Sequence, residues 1–301
     1  MFVGWHQVAF RREIDADLTP VTVGSRRLML VSRDGTLRAF DAICPHRGAN
    51  LAYGGTLDGD VVVCPFHARR IALGDGRPPY RVREYPTLDF GGSVFVLLCA
   101  DHENGLPAFL ESLVDSYVFV PGFSLSAAVP PEVVIENVFD ADHFTAVHGI
   151  SRRPKLELRP SQRGEMAVEA VFETEGARPW HGDQAGFDAE SVASTRFLAR
   201  VFSPTVVATE VGNATHPQIV ITAATPRPEG GSTIRVTLAV TDGGSASPDK
   251  ALIWSLMRDS RLAFEQDMQI WMHMATDTRY HYAESDRPVV EYRRYCERFV
   301  A

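Results

Sequence analysis

Cys44-Pro45-His46-Arg47-Gly48 and Cys64-Pro65-Phe66-His67 decide how the first third of this 301-residue chain is read. Each segment brings one thiol and one imidazole, as C-x-H, then seventeen intervening residues, then C-x-x-H. Two Cys and two His could hold zinc. Zinc hairpins, however, usually bring their cysteines as one close pair and their histidines as another. One of each per loop is what a 2Fe–2S cluster needs when one iron takes two sulfurs and the other two imidazoles. A single loop cannot close such a cluster, but two facing loops can. Neutral imidazoles in place of two thiolates make the cluster less negative and raise its potential.

The two boxes at this spacing resemble those of the Rieske proteins. The resemblance implies that Cys44 and Cys64 bind a buried iron and His46 and His67 a more exposed one. The surrounding sequence suits loops held by a sheet. Arg27 to Ser32 reads as a strand, Asp34-Gly35 as a hairpin turn and Thr36 to Ile43 as the return strand. Asp58-Gly59-Asp60 is a turn before Val61-Val62-Val63, and Gly74 to Pro79 is another. Gly91 to Leu98 closes an all-β module. One departure stands out: Ala68-Arg69-Arg70 follows His67, where the family usually has Gly and then Trp. Arg47, Arg69 and Arg70 read equally as three solvated arginines or as a basic collar around the histidines that would attract an acidic redox partner.

Composition sets the outer limits. Apolar residues make up 45% of the chain and charged residues 23%, an ordinary globular mix that allows two domains. A net charge of −8 gives no case for a nucleic-acid or membrane-surface binder. Four cysteines, two of them in the boxes, argue for a reducing compartment, and a cytoplasmic location is expected. Cys99 reads as a small buried hydrophobe, and Cys296 has no obvious partner. No signal peptide and no apolar run of membrane-spanning length is read.

Beyond a polar linker at Asp101 to Gly105, a short helix is expected, then a strand from Tyr117 to Ala128. Strand-type segments follow: Met166 to Phe172, Val192 to Phe202, Pro204 to Val211, Gln218 to Ala224 and Ser232 to Thr241. They read as an antiparallel sheet. After a flexible break at Gly243-Gly244-Ser245, Ser247-Pro248-Asp249 is a helix start, and the helix runs to about Met274. The fold class is thus α+β.

Between these strands lies Glu136 to Gly149, which contains D-x2-H-x4-H. Asp140 and His143, three apart, would share a helix face. His148 is five beyond His143, so it must sit where the helix distorts or ends, with Gly149 as the stop. Two imidazoles and one carboxylate with open positions form the facial triad of non-haem iron oxygenases. Taken alone, a capping or core histidine remains an equal reading. The last long helix offers Glu265 and Asp267 as the carboxylate. Phe264, Met268 and Trp271 mark its buried face, which Asp267 borders while Glu265 points away. An acid on such a face needs a partner, and a metal is one. Asn137 reads as an ordinary helix-start residue. Phe144, Ile150 and Phe202 read as core rather than pocket liners.

Behind a Rieske domain, the resemblance implies that His143, His148 and Asp267 hold a mononuclear Fe(II). The chain is similar to the oxygenase component of Rieske non-haem iron oxygenases, most of all to the ketosteroid-hydroxylase and cholesterol-desaturase branch. The similar tail runs from Ile270-Trp271 through Asp286-Arg287-Pro288 to Tyr292-Arg293-Arg294-Tyr295 and Phe299. The resemblance implies a Rieske domain over residues 1–105 and a helix-grip catalytic domain over 106–301. It also implies O2 as co-substrate, with NAD(P)H electrons arriving through a ferredoxin or reductase. By the same resemblance, a large apolar substrate, polycyclic or a natural product, would be hydroxylated or desaturated. A homotrimer would let Asp140 link His67 of the partner subunit to His143. The alternatives are a Rieske electron carrier and a catalytically silent ligand-binding relative.

Overall fold

The computed structural model describes residues 2–75, 77, 79–175, 192–212, 217–241, 250–276 and 278–300. Gly243 to Ser245 and the helix start at Ser247 to Asp249 lie outside them, as do Gly76 and Pro78 of the third turn. The N-terminal strands are β1 (Trp5–Phe10), β2 (Leu18–Val23), β3 (Arg26–Arg33), β4 (Thr36–Asp41), β5 (Thr56–Asp58), β6 (Val61–Val63), β7 (Arg70–Leu73), β8 (Arg81–Val82), β9 (Glu84–Tyr85), β10 (Thr87–Phe90) and β11 (Ser93–Leu97). They form three small sheets, ordered β1-β11-β10, β2-β3-β4-β9 and β5-β6-β7-β8. The β3–β4 hairpin turns on Asp34 (φ 49°) and Gly35 (φ 79°), the two positive φ angles that match strand twist in a two-residue turn.

A helix α1 (Leu106–Glu111) leads to β12 (Val118–Ala127), then α2 (Pro131–Glu136) and α3 (Ala141–Ala146). The strands β13 (Glu157–Arg159), β14 (Met166–Glu175), β15 (Val192–Ser203), β16 (Val206–Gly212), β17 (Gln218–Pro226) and β18 (Ser232–Val240) precede α4 (Lys250–Trp271) and α5 (Arg287–Glu297). β12-β18-β17-β16-β15-β14-β13 is one antiparallel sheet of seven strands. Strand residues alternate between its faces. Val206, Ala208, Ile219, Ile221 and Ala223 face a core shared with Trp5, Phe95, Leu106 and Leu110. Their neighbours Val207, Thr209, Val211, Val220 and Thr222 face the opposite way and line a cavity with α4.

Hydrogen bonds sew the N-terminal part to this sheet. Thr225 Oγ1 donates to the Gln7 carbonyl at 2.7 Å, and Gly24 N–H to the Pro226 carbonyl at 2.8 Å. Cys99 is half-buried rather than buried, because it sits past the end of β11 at the start of a one-turn 3-10 helix. Cys296 is buried on α5.

His6, inside β1, is fully buried, and among the described residues its ring bonds the Phe2 carbonyl alone, at 3.1 Å. Burial lowers its pKa to about 4, partly offset by that bond. A depressed imidazole gives stability that is present above the unfolded value of 6.5 and is lost as pH falls towards 4. The loss should reach about 3 kcal/mol per molecule at the acid end of that window. Denaturant titrations of wild type and His6→Gln between pH 7 and 4.5 should show a shallower pH slope in the variant.

Candidate active site: two metal constellations and an apolar cavity

The two Cys-His loops are built alike. Cys44 N–H donates to the Ala49 carbonyl at 2.8 Å, and Gly48 N–H to the Cys44 carbonyl at 3.0 Å. In the second loop Cys64 N–H donates to the Arg69 carbonyl at 2.8 Å, and Ala68 N–H to the Cys64 carbonyl at 2.9 Å. Each loop continues from one strand, β4 or β6, and its cysteine is anchored in a core of Met29, Phe40, Leu51, Val62 and Ile71. Burial raises the Cys44 thiol, against the amides of His46 and Arg47, and the adjacent Cys64 side chain raises it further. Burial also opposes ionisation of Cys64, but the amides of Phe66 and His67 and the Cys44 side chain outweigh it, so its pKa is lowered. Backbone donors thus aim at both sulfurs. His46 and His67 face each other with ring centroids 4.8 Å apart. His46 Nδ1 is buried without a partner among the described residues. Two adjacent thiols, two facing imidazoles and an orphaned ring nitrogen fit a 2Fe–2S cluster.

The equivalent loop positions Gly48 (φ 77°) and Ala68 (φ 52°) are both left-handed. Ala68 therefore carries strain that a glycine avoids. Ala68→Gly should raise the unfolding free energy by about 1 kcal/mol, measured by denaturant titration of the loaded protein. Around the loops, Arg47 lies over the Phe66 ring and Arg69 over Tyr80. Together with His67 they lower the His46 pKa, although burial is the larger cause. The third member of the expected basic collar is diverted: Arg70 pairs with Asp58 at 2.7 Å.

The second constellation is assembled from a broken helix. α2 ends at Glu136, Asn137–Phe139 is a 3-10 turn, and Asp140 (φ −101°, ψ 102°) is extended before α3. Asp140 is therefore the N-cap of α3 and not part of one continuous helix face. Its Oδ1 accepts the amides of Asp142 (3.0 Å) and His143 (3.1 Å). α3 stops at Ala146, and Gly149 (φ 69°) turns the chain so that Ile150 N–H reaches the Phe144 carbonyl at 3.0 Å. That stop swings His148 back beside His143, with ring centroids 4.4 Å apart.

Asp267 comes from α4 and is 6% exposed. Its Oδ1 lies 2.8 Å from His143 Nε2 and 3.5 Å from His148 Nε2. One ligand atom from each of the three residues lies within 4.8 Å of the others. Three buried donors converging on one point fit a 2-His-1-carboxylate metal. Burial lowers the His148 pKa, more than Asp267 raises it, which favours the neutral, ligating form. Glu265 instead pairs with Arg261 at 2.8 Å on the exposed face.

Two contacts escaped the sequence reading. His148 Nδ1 lies 2.9 Å from Gln266 Oε1. Donating there fixes the tautomer and leaves Nε2 its lone pair for a metal. Asn137 Nδ2 lies 3.2 Å from His143 Nε2, so Asn137 is a site residue and not merely a helix-start residue. Nothing in a single sequence marks Gln266, since a polar neighbour of Asp267 on a helix reads as solvated. Gln266→Leu should weaken Fe(II) binding by roughly 10–100-fold, the usual cost of losing an outer-shell partner, as read by metal titration of the iron-depleted protein.

The triad opens into a mostly apolar cavity that communicates with solvent. Its walls include Val134, Phe172, Phe197 and Val220 as well as Phe144, which packs against Phe172 and Phe197 at 4.9 and 5.4 Å. Ile150 is core, and Phe202 belongs to the core shared with β1.

The Rieske 2Fe–2S domain family matches residues 4–86. The 3-ketosteroid 9α-hydroxylase C-terminal domain family matches residues 105–300. The chain belongs to the Rieske oxygenases of the 3-ketosteroid 9α-hydroxylase family. Among relatives of this Rieske oxygenase is a probable 3-ketosteroid-9-alpha-monooxygenase, oxygenase component, of Rhodococcus rhodochrous, 26% identical over 98% of this chain and 79% of that protein. The cholesterol 7-desaturase nvd of Bombyx mori is 29% identical over 60% of this chain but only 41% of its own length. In fold, the Rieske oxygenase is similar to the QL mutant of NdmA from Pseudomonas putida CBB5, solved with caffeine (TM-score 0.73, 16% identity, 98% of this chain and 89% of that one). It is an oxidoreductase of the Rieske monooxygenase and desaturase class, with an N-terminal 2Fe–2S domain. Among the described residues no helix is long and apolar enough to cross a membrane.

Proposed function

We propose that this Rieske oxygenase hydroxylates or desaturates a large, apolar, polycyclic substrate in the cavity beside His143, His148 and Asp267. The observation that carries the reading is the convergence of those three side chains on the wall of an apolar cavity. Cys44, His46, Cys64 and His67 would hold the cluster, and His143, His148 and Asp267 the mononuclear iron. When loaded, the cluster supplies electrons singly and the iron activates O2.

The chain's own residues prepare that chemistry. Gln266 holds the His148 tautomer, and Asn137 Nδ2 lies beside His143 Nε2, the ring nitrogen that faces Asp267. Phe144, Phe172 and Phe197 exclude water and offer flat walls to a ring system. Both cap bonds fall on Asp140 Oδ1, so Oδ2 is not used in the cap. In a homotrimer Asp140 would relay between His67 of the partner subunit and His143. Arg47 and Arg69 beside the cluster would receive an acidic ferredoxin or reductase. The working division is a Rieske domain over residues 1–105 and a catalytic domain over 106–301, in a cytoplasmic protein.

The test is reconstitution with NAD(P)H, a ferredoxin and reductase pair, O2 and a panel of sterols and ketosteroids. Product that gains one oxygen or loses two hydrogens, with NAD(P)H consumed and only when the reductase is present, supports the proposal. A cluster that is reduced normally while no polycycle is altered contradicts it.

A further inference from the structure

Leu256, Asp259, Ser260, Ala263, Phe264 and Asp267 all line the cavity. Their spacing of three, one, three, one and three residues makes them a single face of α4. Asp259 is eight residues before Asp267, so it stands about 12 Å away along the helix axis. The metal ligand and a second carboxylate therefore mark two ends of one cavity wall.

Asp259 is 11% exposed at its side chain. Its Oδ1 accepts from Arg258 Nε at 3.1 Å and Arg258 Nη2 at 3.0 Å. Its Oδ2 is buried with no partner among the described residues. Gln218, the first residue of β17, is 7% exposed, and its Oε1 is also buried with no partner. Both residues line the cavity, as do the hydroxyl-bearing Thr209 and Thr222. Two buried acceptors without a partner among the described residues are costly to leave unmatched, the carboxylate more so. A substrate donor would satisfy them. A ketone in the same place would set oxygen against oxygen.

We propose that Asp259 and Gln218 form a recognition site for a hydrogen-bond donor, a hydroxyl or an amine, on the end of the substrate remote from His143, His148 and Asp267. The inference rests on the reading of the cavity as the substrate site and adds a specificity rule to it. The substrate carries its donor on the order of 10 Å from the carbon that reacts, the separation set by two turns of α4. A rigid fused-ring skeleton spans that length. Asp259 and Gln218 are positioning residues, and binding, not turnover, is where they act.

The experiment is equilibrium binding to the anaerobic, iron-loaded protein. The probes are steroids of one skeleton bearing a 3-hydroxyl, a 3-amine, a 3-ketone or no substituent. Wild type should bind the hydroxyl or the amine roughly 10–100-fold more tightly than the ketone, the range for a hydrogen bond to a charged group. Whichever of the two binds more tightly names the donor. Asp259→Asn is nearly isosteric and can donate, so it should gain ketone affinity and lose the preference. Gln218→Leu should weaken the hydroxyl probe without helping the ketone. Unchanged iron content in both variants shows that the site is intact. A hydroxyl-to-ketone ratio that stays the same in Asp259→Asn, with both probes bound, overturns this inference alone. No binding of any probe to wild type overturns it together with the substrate reading of the cavity.

Discussion

Asp267→Ala is expected to lose the mononuclear iron and all substrate oxidation while the 2Fe–2S domain stays loaded. Asp267 is the only member of the triad drawn from α4, and one oxygen, Oδ1, faces both imidazoles. Removing it leaves only the two imidazoles of His143 and His148, whose ring centroids are 4.4 Å apart, with no carboxylate to offset the charge of a divalent metal. Iron affinity should fall by more than the roughly 10–100-fold expected for an outer-shell loss such as Gln266→Leu. The fold should hold, because α4 keeps the apolar face of Phe264, Met268 and Trp271 that packs it in the core. Metal analysis with optical spectra of the cluster checks this. Full iron in the variant would remove Asp267 from the ligand set.

Cys64→Ala should do the reverse. The amides of Phe66 and His67 point at a sulfur that is no longer there, and Cys44 alone cannot hold the inner iron. Acid-labile sulfide and the reduced-cluster signal should vanish, and about one iron per chain should remain at the facial triad. Substrate oxidation should stop for lack of electrons, while substrate binding in the cavity persists. Cys64 also sits in the core beside Val62 and Ile71, so some loss of stability accompanies the chemistry. Retention of the cluster signal would contradict the assignment.

The cysteine boxes were legible because ligation itself dictates their spacing, whatever the surrounding packing does. The catalytic sheet was legible because its strands are long runs rich in β-branched residues separated by turn residues such as Pro226 to Gly231, even though both faces of β16 and β17 are buried. β1 was not, since Trp5 to Phe10 is buried on both faces and shows no period of two. Strands of two to four residues such as β8 and β9 are too short to leave any pattern. The D-x2-H-x4-H segment was read as one helix face, and the structure breaks that helix at Asp140. A cap at Asp140 and a continuous helix look alike in sequence, and only the break folds Asn137 over His143. Gln266 and Asp259 acquire their roles from residues far away in the chain, His148 for the one and the cavity wall of β17 for the other. Such meetings are products of the tertiary fold and have no local signature.

The most direct test of the whole account is iron and acid-labile sulfide per chain in anaerobically purified wild type, with spectra of the reduced cluster. Two constellations predict about three irons and two sulfides, with a signal of mixed sulfur and imidazole ligation. About two irons and two sulfides would mean that His143, His148 and Asp267 hold no metal, and the oxygenase reading of the cavity would be contradicted.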